Sequence, residues 1–497
     1  MSQINVTNLT FAYPGSYDNI FEGATFCLDT DWRIGFTGRN GRGKTTFLRL
    51  LMGEYDYHGT ISASVEFEYF PYKVENMARD TIEIVESLMS GHEEWEIYRE
   101  LSLLGVEADV LYRPFETLSN GERTKVLLAA MFLKENSFLL IDEPTNHLDQ
   151  KGRELVGRYL HTKKGFILIS HDRAFLDSCT DHTLSINKTD IVVQKGNFSV
   201  WWEAKQRQDA AEQVKNERLA REIGRLDASA QQKGVWSNAV EKTKHTKVSG
   251  LRPDRGYIGH KAAKMMKRSK QIEKRRQEAA EEKRSLLKNV EEAESLKLTP
   301  LSYHAARLAL LRDVVVTYNG KNIFEPISFE LKQGEKLWLC GGNGSGKSSL
   351  LKLILGEKVP YTGTVEIGSG LKISYVPQNA SFLRGDLSSY AREQGIDESL
   401  FKAILRKLGF LRIQFEKDMA DFSAGQKKKV LLARSLCEQA HLYIWDEPLN
   451  YIDIFSRMQV EQLLASAPLT LLFVEHDREF GERIATRTIC LSGNSSF

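Results

Sequence analysis

Residues 38–45 read GRNGRGKT, and residues 341–348 read GGNGSGKS. Each run places glycines, a lysine and a hydroxyl residue at the spacing of a phosphate-binding loop. The glycines let backbone N–H groups surround phosphates, the lysine reaches the outer phosphates, and the hydroxyl can bind Mg²⁺. An apolar strand is predicted before each loop and a helix after it, which is the setting this loop requires. Both runs therefore predict a site for a nucleoside triphosphate.

The residues predicted to hold nucleotide in the two loops are Gly38, Asn40, Gly41, Gly43, Lys44, Thr45, Thr46, Gly341, Asn343, Gly344, Gly346, Lys347, Ser348 and Ser349. The Thr45 and Ser348 hydroxyls are also predicted Mg²⁺ ligands, because an oxygen at this position of the loop can enter the ion's coordination shell.

Other residues with chemical roles recur at the same interval as the loops. Lys44 and Lys347 are 303 positions apart, and His171 and His476 are 305 apart. A chance motif would not keep its partners in register, so the chain is predicted to be a tandem duplication of one α/β nucleotide-binding domain. We expect the first domain at residues 1–200, the second at 301–497, and a separate segment at 201–300 between them.

Two carboxylates end an apolar strand in each half. They are Asp142 and Glu143 in the first half, and Asp446 and Glu447 in the second. We expect the aspartates to hold Mg²⁺, and the glutamates to orient and polarise the attacking water, which is the positioning that phosphoryl transfer requires.

A second predicted strand in each half ends at a histidine, His171 or His476. A histidine at this place could contact the γ-phosphate and report its loss, so both are predicted catalytic residues. A purely structural histidine is the alternative, because a histidine considered alone is often one.

A serine followed two positions later by glycine precedes a predicted helix in each half. These residues are Ser119 and Gly121, and Ser423 and Gly425. A helix N-terminus with this sequence can bind an anion such as a phosphate, although the same pattern is also an ordinary N-cap.

The segment between the halves carries a local excess of positive charge. Residues 225–276 contain 15 Lys and Arg against 4 Asp and Glu, whereas the whole chain has a net charge of only +2. We expect two antiparallel helices at about 203–238 and 260–295 joined by a loop at 239–259. The charge predicts a polyanionic partner, with a solvated helical linker as the alternative.

Composition excludes other settings. The chain of 497 residues is 41% hydrophobic and 27% charged, as in soluble globular proteins. It has no apolar run long enough to span a membrane and no N-terminal secretory signal, so we expect a cytoplasmic protein. The five cysteines are scattered and odd in number, so we expect reduced thiols.

The order of phosphate loop, Ser-Xaa-Gly, Asp-Glu-Pro and histidine resembles that of ATP-binding cassette (ABC) ATPases, in which two cassettes pair head to tail. The resemblance implies that the loop at 38–46 shares its ATP with Ser423 and Gly425, and the loop at 341–349 with Ser119 and Gly121. Further implied residues are the adenine-stacking aromatics Tyr13 and Tyr318, the Gln-loop residue Gln378 as a Mg²⁺ ligand, and the dimer-contacting Asp149 and Asp453.

The chain resembles the ABC-F branch, which has two cassettes on one polypeptide, no membrane subunit and a charged helical linker. The resemblance also covers KGNFS at 195–199 and AAKMMKRS at 262–269, and is closest to the Lsa-like antibiotic-resistance group. It implies a monomer with intramolecular cassette pairing that uses ATP and Mg²⁺. It further implies binding at the E site of the 70S ribosome, near 23S rRNA, P-site tRNA and E-site proteins.

Protection against lincosamides, streptogramin A and pleuromutilins is the function that this resemblance implies. The linker loop would be pushed toward the peptidyl-transferase centre, with Lys244, Lys247, Leu251, Arg252, Pro253 and Tyr257 at its tip. The helical segment at about 75–115 would be an arm that contacts the ribosome, or a subdomain that only packs. A general ABC-F translation factor, the ATPase subunit of a transporter and a DNA-repair ATPase are the alternatives.

One departure from the family pattern predicts unequal ATP sites. The second half reads Tyr375-Val376-Pro377-Gln378, whereas the first has Tyr72 where glutamine is expected. A tyrosine cannot bind Mg²⁺ through a neutral amide oxygen, so we expect both sites to hydrolyse ATP at different rates.

Overall fold

The computed structural model describes residues 2–14, 19–88, 93–186, 191–212, 214–215, 218, 221, 225, 260, 263–264, 267, 270–271, 274–275, 300–318 and 320–492. The chain divides into two units, one of Met1–Ser199 with Glu294–Phe497 and the other of Val200–Ala293.

In the second unit, the described residues among 200–225 and 260–275 are helical. The predicted tip loop at 239–259 lies outside the described residues, as do its residues Lys244, Lys247, Leu251, Arg252, Pro253 and Tyr257. Most of the two predicted linker helices also lies outside them.

The first cassette begins with an antiparallel sheet and continues into a mainly parallel one. Its strands are β1 Gln3–Phe11, β2 Phe21–Asp29, β3 Arg33–Thr37, β4 His58–Ser62, β5 Glu66–Phe70, β6 Ser137–Asp142, β7 Phe166–Ile169, β8 His182–Ile186 and β9 Ile191–Lys195. Its helices are α1 Lys44–Leu51, α2 Thr81–Leu88, α3 Glu94–Leu103, α4 Asn120–Phe132, α5 Gln150–Thr162 and α6 Arg173–Cys179.

The two sheets of this cassette have the orders β2-β1-β4 and β5-β6-β7-β3-β8-β9. In the larger sheet, β5, β6, β7, β3 and β8 pair in parallel, and β9 pairs antiparallel with β8. The central strand β7 consists of Phe, Ile, Leu and Ile, all buried, because a parallel strand covered on both faces needs a continuous apolar run.

The second cassette repeats this plan. Its strands are β10 Arg307–Tyr318, β11 Lys321–Asn322, β12 Ile327–Lys332, β13 Lys336–Cys340, β14 Tyr361–Ile367, β15 Ile373–Val376, β16 Leu442–Asp446, β17 Leu471–Val474 and β18 Arg487–Cys490. Its helices are α7 Lys347–Ile354, α8 Leu387–Glu393, α9 Glu398–Lys407, α10 Ala424–Cys437, α11 Ile454–Ser466 and α12 Arg478–Ile484. The parallel sheet has the order β15-β16-β17-β13-β18, and β14 and β12 flank β10 in the antiparallel sheet.

Strand order places the predicted site residues at one edge of each parallel sheet. The phosphate loop follows β3, the carboxylate pair ends β6, and His171 follows β7, and these strands are neighbours in the order β6-β7-β3. The strands β16, β17 and β13 repeat the arrangement. Since the carboxyl ends of parallel strands meet at the same edge, residues far apart in sequence converge there.

The expectation of five reduced thiols was wrong for two of them. Cys340 and Cys490 form a disulfide, whereas Cys27, Cys179 and Cys437 are thiols. The pairing follows from the sheet, because Cys340 and Cys490 end the parallel neighbours β13 and β18 directly opposite each other. Sequence spacing alone does not show this register.

Helices α2 and α3 form the segment that the sequence predicts as an arm, and Trp95 on α3 is exposed with the Arg99 guanidinium 5.5 Å from its ring centre. The second cassette carries α8 and α9 at the corresponding place. A helical segment here is therefore common to both cassettes.

Candidate functional site: two ATP sites between the cassettes

The phosphate loops hold their lysines across the loop opening. The Lys44 ammonium donates to the Gly38 carbonyl at 2.6 Å, and the Lys347 ammonium donates to the carbonyls of Gly341 at 2.9 Å and Gly342 at 2.7 Å. Burial lowers the pKa of both lysines, with neighbouring carboxylates acting in the opposite direction. A triphosphate would supply the negative charge that these buried cations need.

Glycine is required at the last position before each lysine. Gly43 has φ 91° and Gly346 has φ 85°, both in the left-handed region that side chains disfavour. A Cβ atom at Gly43 would lie 2.5 Å from the Ile20 side chain, and one at Gly346 would lie 2.7 Å from the Ile323 side chain. The loop can thus turn into its helix only with glycine here.

The predicted Mg²⁺ ligands lie together in both cassettes. The Thr45 hydroxyl donates to Asp142 Oδ2 at 2.8 Å, and the Ser348 side chain lies near enough to Asp446 to lower its pKa against the effect of burial. Asp446 Oδ1 is buried and has no hydrogen-bond partner among the described residues. A hydroxyl beside a carboxylate with an unused oxygen is a donor set that fits Mg²⁺.

Within the described part of the chain, no cluster of three or more His, Cys, Asp or Glu side chains is arranged to hold a metal alone.

The two glutamates predicted to be catalytic have an unusual backbone conformation. Glu143 has φ 53° and Glu447 has φ 47°, so both are left-handed despite carrying side chains. Such conformations cost of order 1–3 kcal/mol and persist where the surrounding structure fixes them. They bring each carboxylate to its histidine: His171 Nε2 lies 3.2 Å from Glu143 Oε1, and His476 Nε2 lies 3.3 Å from Glu447 Oε1.

The surroundings shift the pKa values of the two glutamates in opposite directions. Burial, reinforced by the Asp142 charge, raises the pKa of Glu143 to about 8. Burial would also raise the pKa of Glu447, but the hydrogen bond and charge of His476, with a hydrogen bond from Gln378, bring it to about 2. The surroundings thus raise the pKa of Glu143 and lower that of Glu447.

The Gln-loop position accounts for part of this difference. The Gln378 amide donates to Glu447 Oε2 at 2.8 Å. Tyr72, at the matching position of the first cassette, is an exposed side chain. The Tyr69 hydroxyl donates to Asp142 Oδ2 at 3.0 Å, so this carboxylate oxygen of the first cassette already has a tyrosine as a hydrogen-bond partner.

One cavity of about 820 Å³ contains the predicted residues of the site around Lys347. The phosphate loop from Asn343 to Ser349, Gln378, Glu447 and His476 line it from the second cassette. Ser119, Gly121 and Asp149 line it from the first. The structure thus brings the first Ser-Xaa-Gly opposite the second phosphate loop. We call this composite the Lys347 site.

The reciprocal site joins the first phosphate loop to the second Ser-Xaa-Gly. The Asn40 amide donates to the Tyr451 carbonyl at 3.0 Å, and a Cβ atom at Gly425 would lie 2.3 Å from that same carbonyl oxygen. Ser423 caps α10 two residues earlier, and its hydroxyl accepts from the Gln426 N–H. We call this composite the Lys44 site.

The predicted adenine-stacking tyrosines lie beside their own phosphate loops. The Tyr13 hydroxyl is hydrogen-bonded to the Thr46 hydroxyl at 2.8 Å, and Tyr318 donates to Ser349 at 3.3 Å. Both rings are partly exposed, at 39% and 42%. A planar base could therefore reach either ring.

Sequence reasoning missed two side chains around Glu447. The Lys428 ammonium donates to the carbonyls of Pro377 and Glu447, both at 3.0 Å, and burial lowers its pKa to about 8. The Asn450 amide donates to Glu447 Oε2 at 2.7 Å. The repeat offered a signal for Asn450, because Asn146 stands at the same place after Glu143.

The comparison with known families follows this geometry. Residues 21–146 and 324–450 each match the family described as ABC transporter, so the match covers both cassettes. The chain belongs to this family. It is an ATPase with two tandem ABC domains, as the sequence predicts, and ATP is its nucleotide.

Relatives match along nearly the whole chain. The ribosome protection protein VmlR of Bacillus subtilis is 27% identical over 98% of this chain and 87% of its own length. The ATP-binding protein Uup of Caulobacter vibrioides is 29% identical over 95% of this chain and 75% of its own length. These similarities support the ABC-F branch of the ABC proteins.

Solved structures share the tandem-cassette fold. The archaeal ribosome recycling factor aABCE1, solved with the stalk protein aP1, has a TM-score of 0.61 and 18% identity. The match covers 98% of this ABC protein and 88% of that chain.

Among the residues that the structure describes, no helix combines the length and apolar character needed to cross a membrane.

Proposed function

We propose that this ABC-F ATPase binds the ribosome and protects it against antibiotics of the peptidyl-transferase centre. The observation that carries the proposal is its similarity over 98% of its length to a protein named for ribosome protection. The basic segment at residues 225–276 also favours a nucleic-acid partner, because clustered lysine and arginine bind phosphate backbones.

ATP with Mg²⁺ would be bound across the two cassettes at each site. Thr45 with Asp142, and Ser348 with Asp446, would hold the ion, which supplies charge neutralisation to the phosphates. Glu143 and Glu447 would orient the attacking water, and each histidine would hold its glutamate in place. Because Ser423 and Ser119 belong to the opposite cassette, loss of the γ-phosphate would weaken the contact between the cassettes.

The drug classes implied by the Lsa-like resemblance are lincosamides, streptogramin A and pleuromutilins. In this proposal the linker loop at 239–259, with Leu251, Arg252, Pro253 and Tyr257, acts at the peptidyl-transferase centre while the cassettes occupy the E site. The segment at α2 and α3 would contact the ribosome beside it, where exposed Trp95 is available to stack.

Expression in a susceptible host, followed by inhibitory concentrations for each drug class, tests the proposal. We expect raised concentrations for these classes and unchanged ones for a drug that acts away from the peptidyl-transferase centre. Deletion of Leu251–Pro253 should remove protection while ATPase activity and ribosome co-sedimentation remain.

A general ABC-F translation factor is the second candidate, because a relative matched over 95% of this chain is named only as an ATP-binding protein. Co-sedimentation with ribosomes without any change in drug susceptibility would favour it. Binding to duplex DNA without ribosome binding would contradict both candidates.

A further inference from the structure

A second cavity lies between the cassettes, with His476 in its wall. It has a volume of about 570 Å³ and is lined by α5 and α6 of the first cassette, and by His476 and Arg478 of the second. His476 also lines the ATP cavity of the Lys347 site. This side chain therefore borders both cavities.

The internal repeat places an arginine equivalent to Arg478 in the first cassette. Arg173 occupies in the first cassette the position that Arg478 occupies in the second, because each follows its histidine by two residues. The Arg173 side chain is only 6% exposed; it pairs with Glu461, and its Nε lies 3.2 Å from Glu479 Oε2. The Arg478 side chain is 61% exposed and pairs with Glu482 of its own helix at 2.7 Å.

The sequence explains why charged side chains fill the space beside Arg173, whereas a cavity remains beside Arg478. At the spacing of the repeat, Glu461 and Glu479 correspond to Gly157 and Ala174. Arg483, which pairs with both glutamates, corresponds to Ser178. Both glutamates and Arg483 of the closed cluster are thus replaced by small residues, whereas the equivalent of Arg173 is again an arginine, Arg478. Ala174 and Ser178 line the cavity instead.

The lining combines an apolar surface with a charged rim. Phe175 and Ala174 supply the apolar surface. The charged side chains are Arg153, Arg158 and Arg478 against Glu154 and Asp172, and Asp172 is paired with Arg153. The neighbouring pair of Arg478 with Glu482 is solvent-exposed, and exposed pairs contribute only about 0–1 kcal/mol, so it can exchange for another anion. The volume lies within the range of about 300–1,000 Å³ typical of small-molecule sites.

We propose that this cavity binds a small organic anion with an apolar body. Its acidic group lies at Arg478. It takes the place that the carboxylates of Glu461 and Glu479 have beside Arg173 in the closed cluster. Because His476 and the helix capped by Asp149 border both this cavity and the Lys347 site, occupancy changes ATP turnover at that site.

The binding test uses the full chain with Glu143→Gln and Glu447→Gln under saturating ATP, which keeps the two cassettes together. Calorimetric titration with naphthalene-2-sulfonate is compared with titration by the neutral 2-naphthalenemethanol. We expect one sulfonate per chain, bound about tenfold more tightly than the alcohol. A hydrogen bond to a charged group such as a guanidinium contributes a binding free energy equivalent to about this factor in affinity. No sulfonate binding, or equal affinity for both compounds, overturns the proposal.

Two variants locate the binding. Ala174→Glu places a carboxylate at the position equivalent to Glu479, on an exposed residue. Arg478→Gln removes the positive charge of the guanidinium. Both should weaken sulfonate binding about tenfold. Ala108→Glu, an identical change at an exposed alanine outside the cavity lining, should leave it unchanged. Unaltered affinity in Ala174→Glu and Arg478→Gln would show that the sulfonate binds elsewhere.

The coupling is tested by turnover. The sulfonate should change ATP hydrolysis in Glu143→Gln, where the Lys347 site keeps its glutamate, and leave Glu447→Gln unaffected. Binding at the cavity without any change of rate in Glu143→Gln would overturn the coupling.

Discussion

The Lys44 and Lys347 sites have equivalent motifs in the same order, but differ in how the glutamate predicted to be catalytic is held. Glu447 accepts hydrogen bonds from Gln378 and Asn450 and its pKa is lowered, whereas burial and Asp142 raise the pKa of Glu143. The same motif order in both halves therefore does not fix the pKa of the glutamate. Burial, motif residues such as Asp142 and His476, and residues outside the repeated motifs such as Gln378 act together.

Removal of both glutamates should produce the largest effect. Glu143→Gln with Glu447→Gln should lower ATP hydrolysis by about 10²–10⁴-fold, because neither site can then orient and deprotonate water. Phosphate release measures the loss, and nucleotide binding should persist. Glu416→Gln, at an exposed glutamate, is the matched control. Substantial hydrolysis by the double variant would mean that neither glutamate has this role.

The single variants separate the two sites. Glu143→Gln leaves the Lys347 site intact and should retain more activity than Glu447→Gln, by about tenfold, since hydrogen bonds from Gln378 and Asn450 fix the Glu447 carboxylate in place to orient water. Single-turnover assays on each variant give the comparison. Indistinguishable residual rates would show that the difference in environment has no catalytic consequence.

Exchange of the Gln-loop residues sharpens the same comparison. In the Glu143→Gln background, Gln378→Tyr should slow the Lys347 site by about tenfold, because Glu447 loses a 2.8 Å hydrogen bond. Gln394→Tyr, an identical change at an exposed helix end, is the control. If Gln378→Tyr has no more effect than the control, the asymmetry has another origin.

The smallest effect concerns the contact between cassettes at the Lys44 site. Asn40→Ala removes a 3.0 Å hydrogen bond to the Tyr451 carbonyl, worth about 0.5–1.5 kcal/mol. In the Glu447→Gln background, turnover should fall a few-fold. In the Glu143→Gln background it should stay the same, and equal losses in both would assign Asn40 a role shared by the two sites.

The residues of the candidate sites that belong to local sequence patterns could be predicted from the sequence. Phosphate loops, strand-end carboxylates and the histidines follow from local patterns, because glycine conformation and strand periodicity act within a few residues. The confirmed tandem fold follows from the constant interval between these patterns. The residue roles inferred from the same patterns stay predictions.

Tertiary structure decided what depends on residues brought together from distant positions. The disulfide of Cys340 with Cys490 needs the register of β13 and β18, which spacing does not encode. The raised pKa of Glu143 results from burial and from Asp142. The open cavity at Arg478 depends on Ala174 and Ser178, which line it at the positions equivalent to Glu479 and Arg483. The sequence alone determined which chemical groups each cassette carries; packing determined their charge, their partners and the space between them, because desolvation and contact act through distance in space.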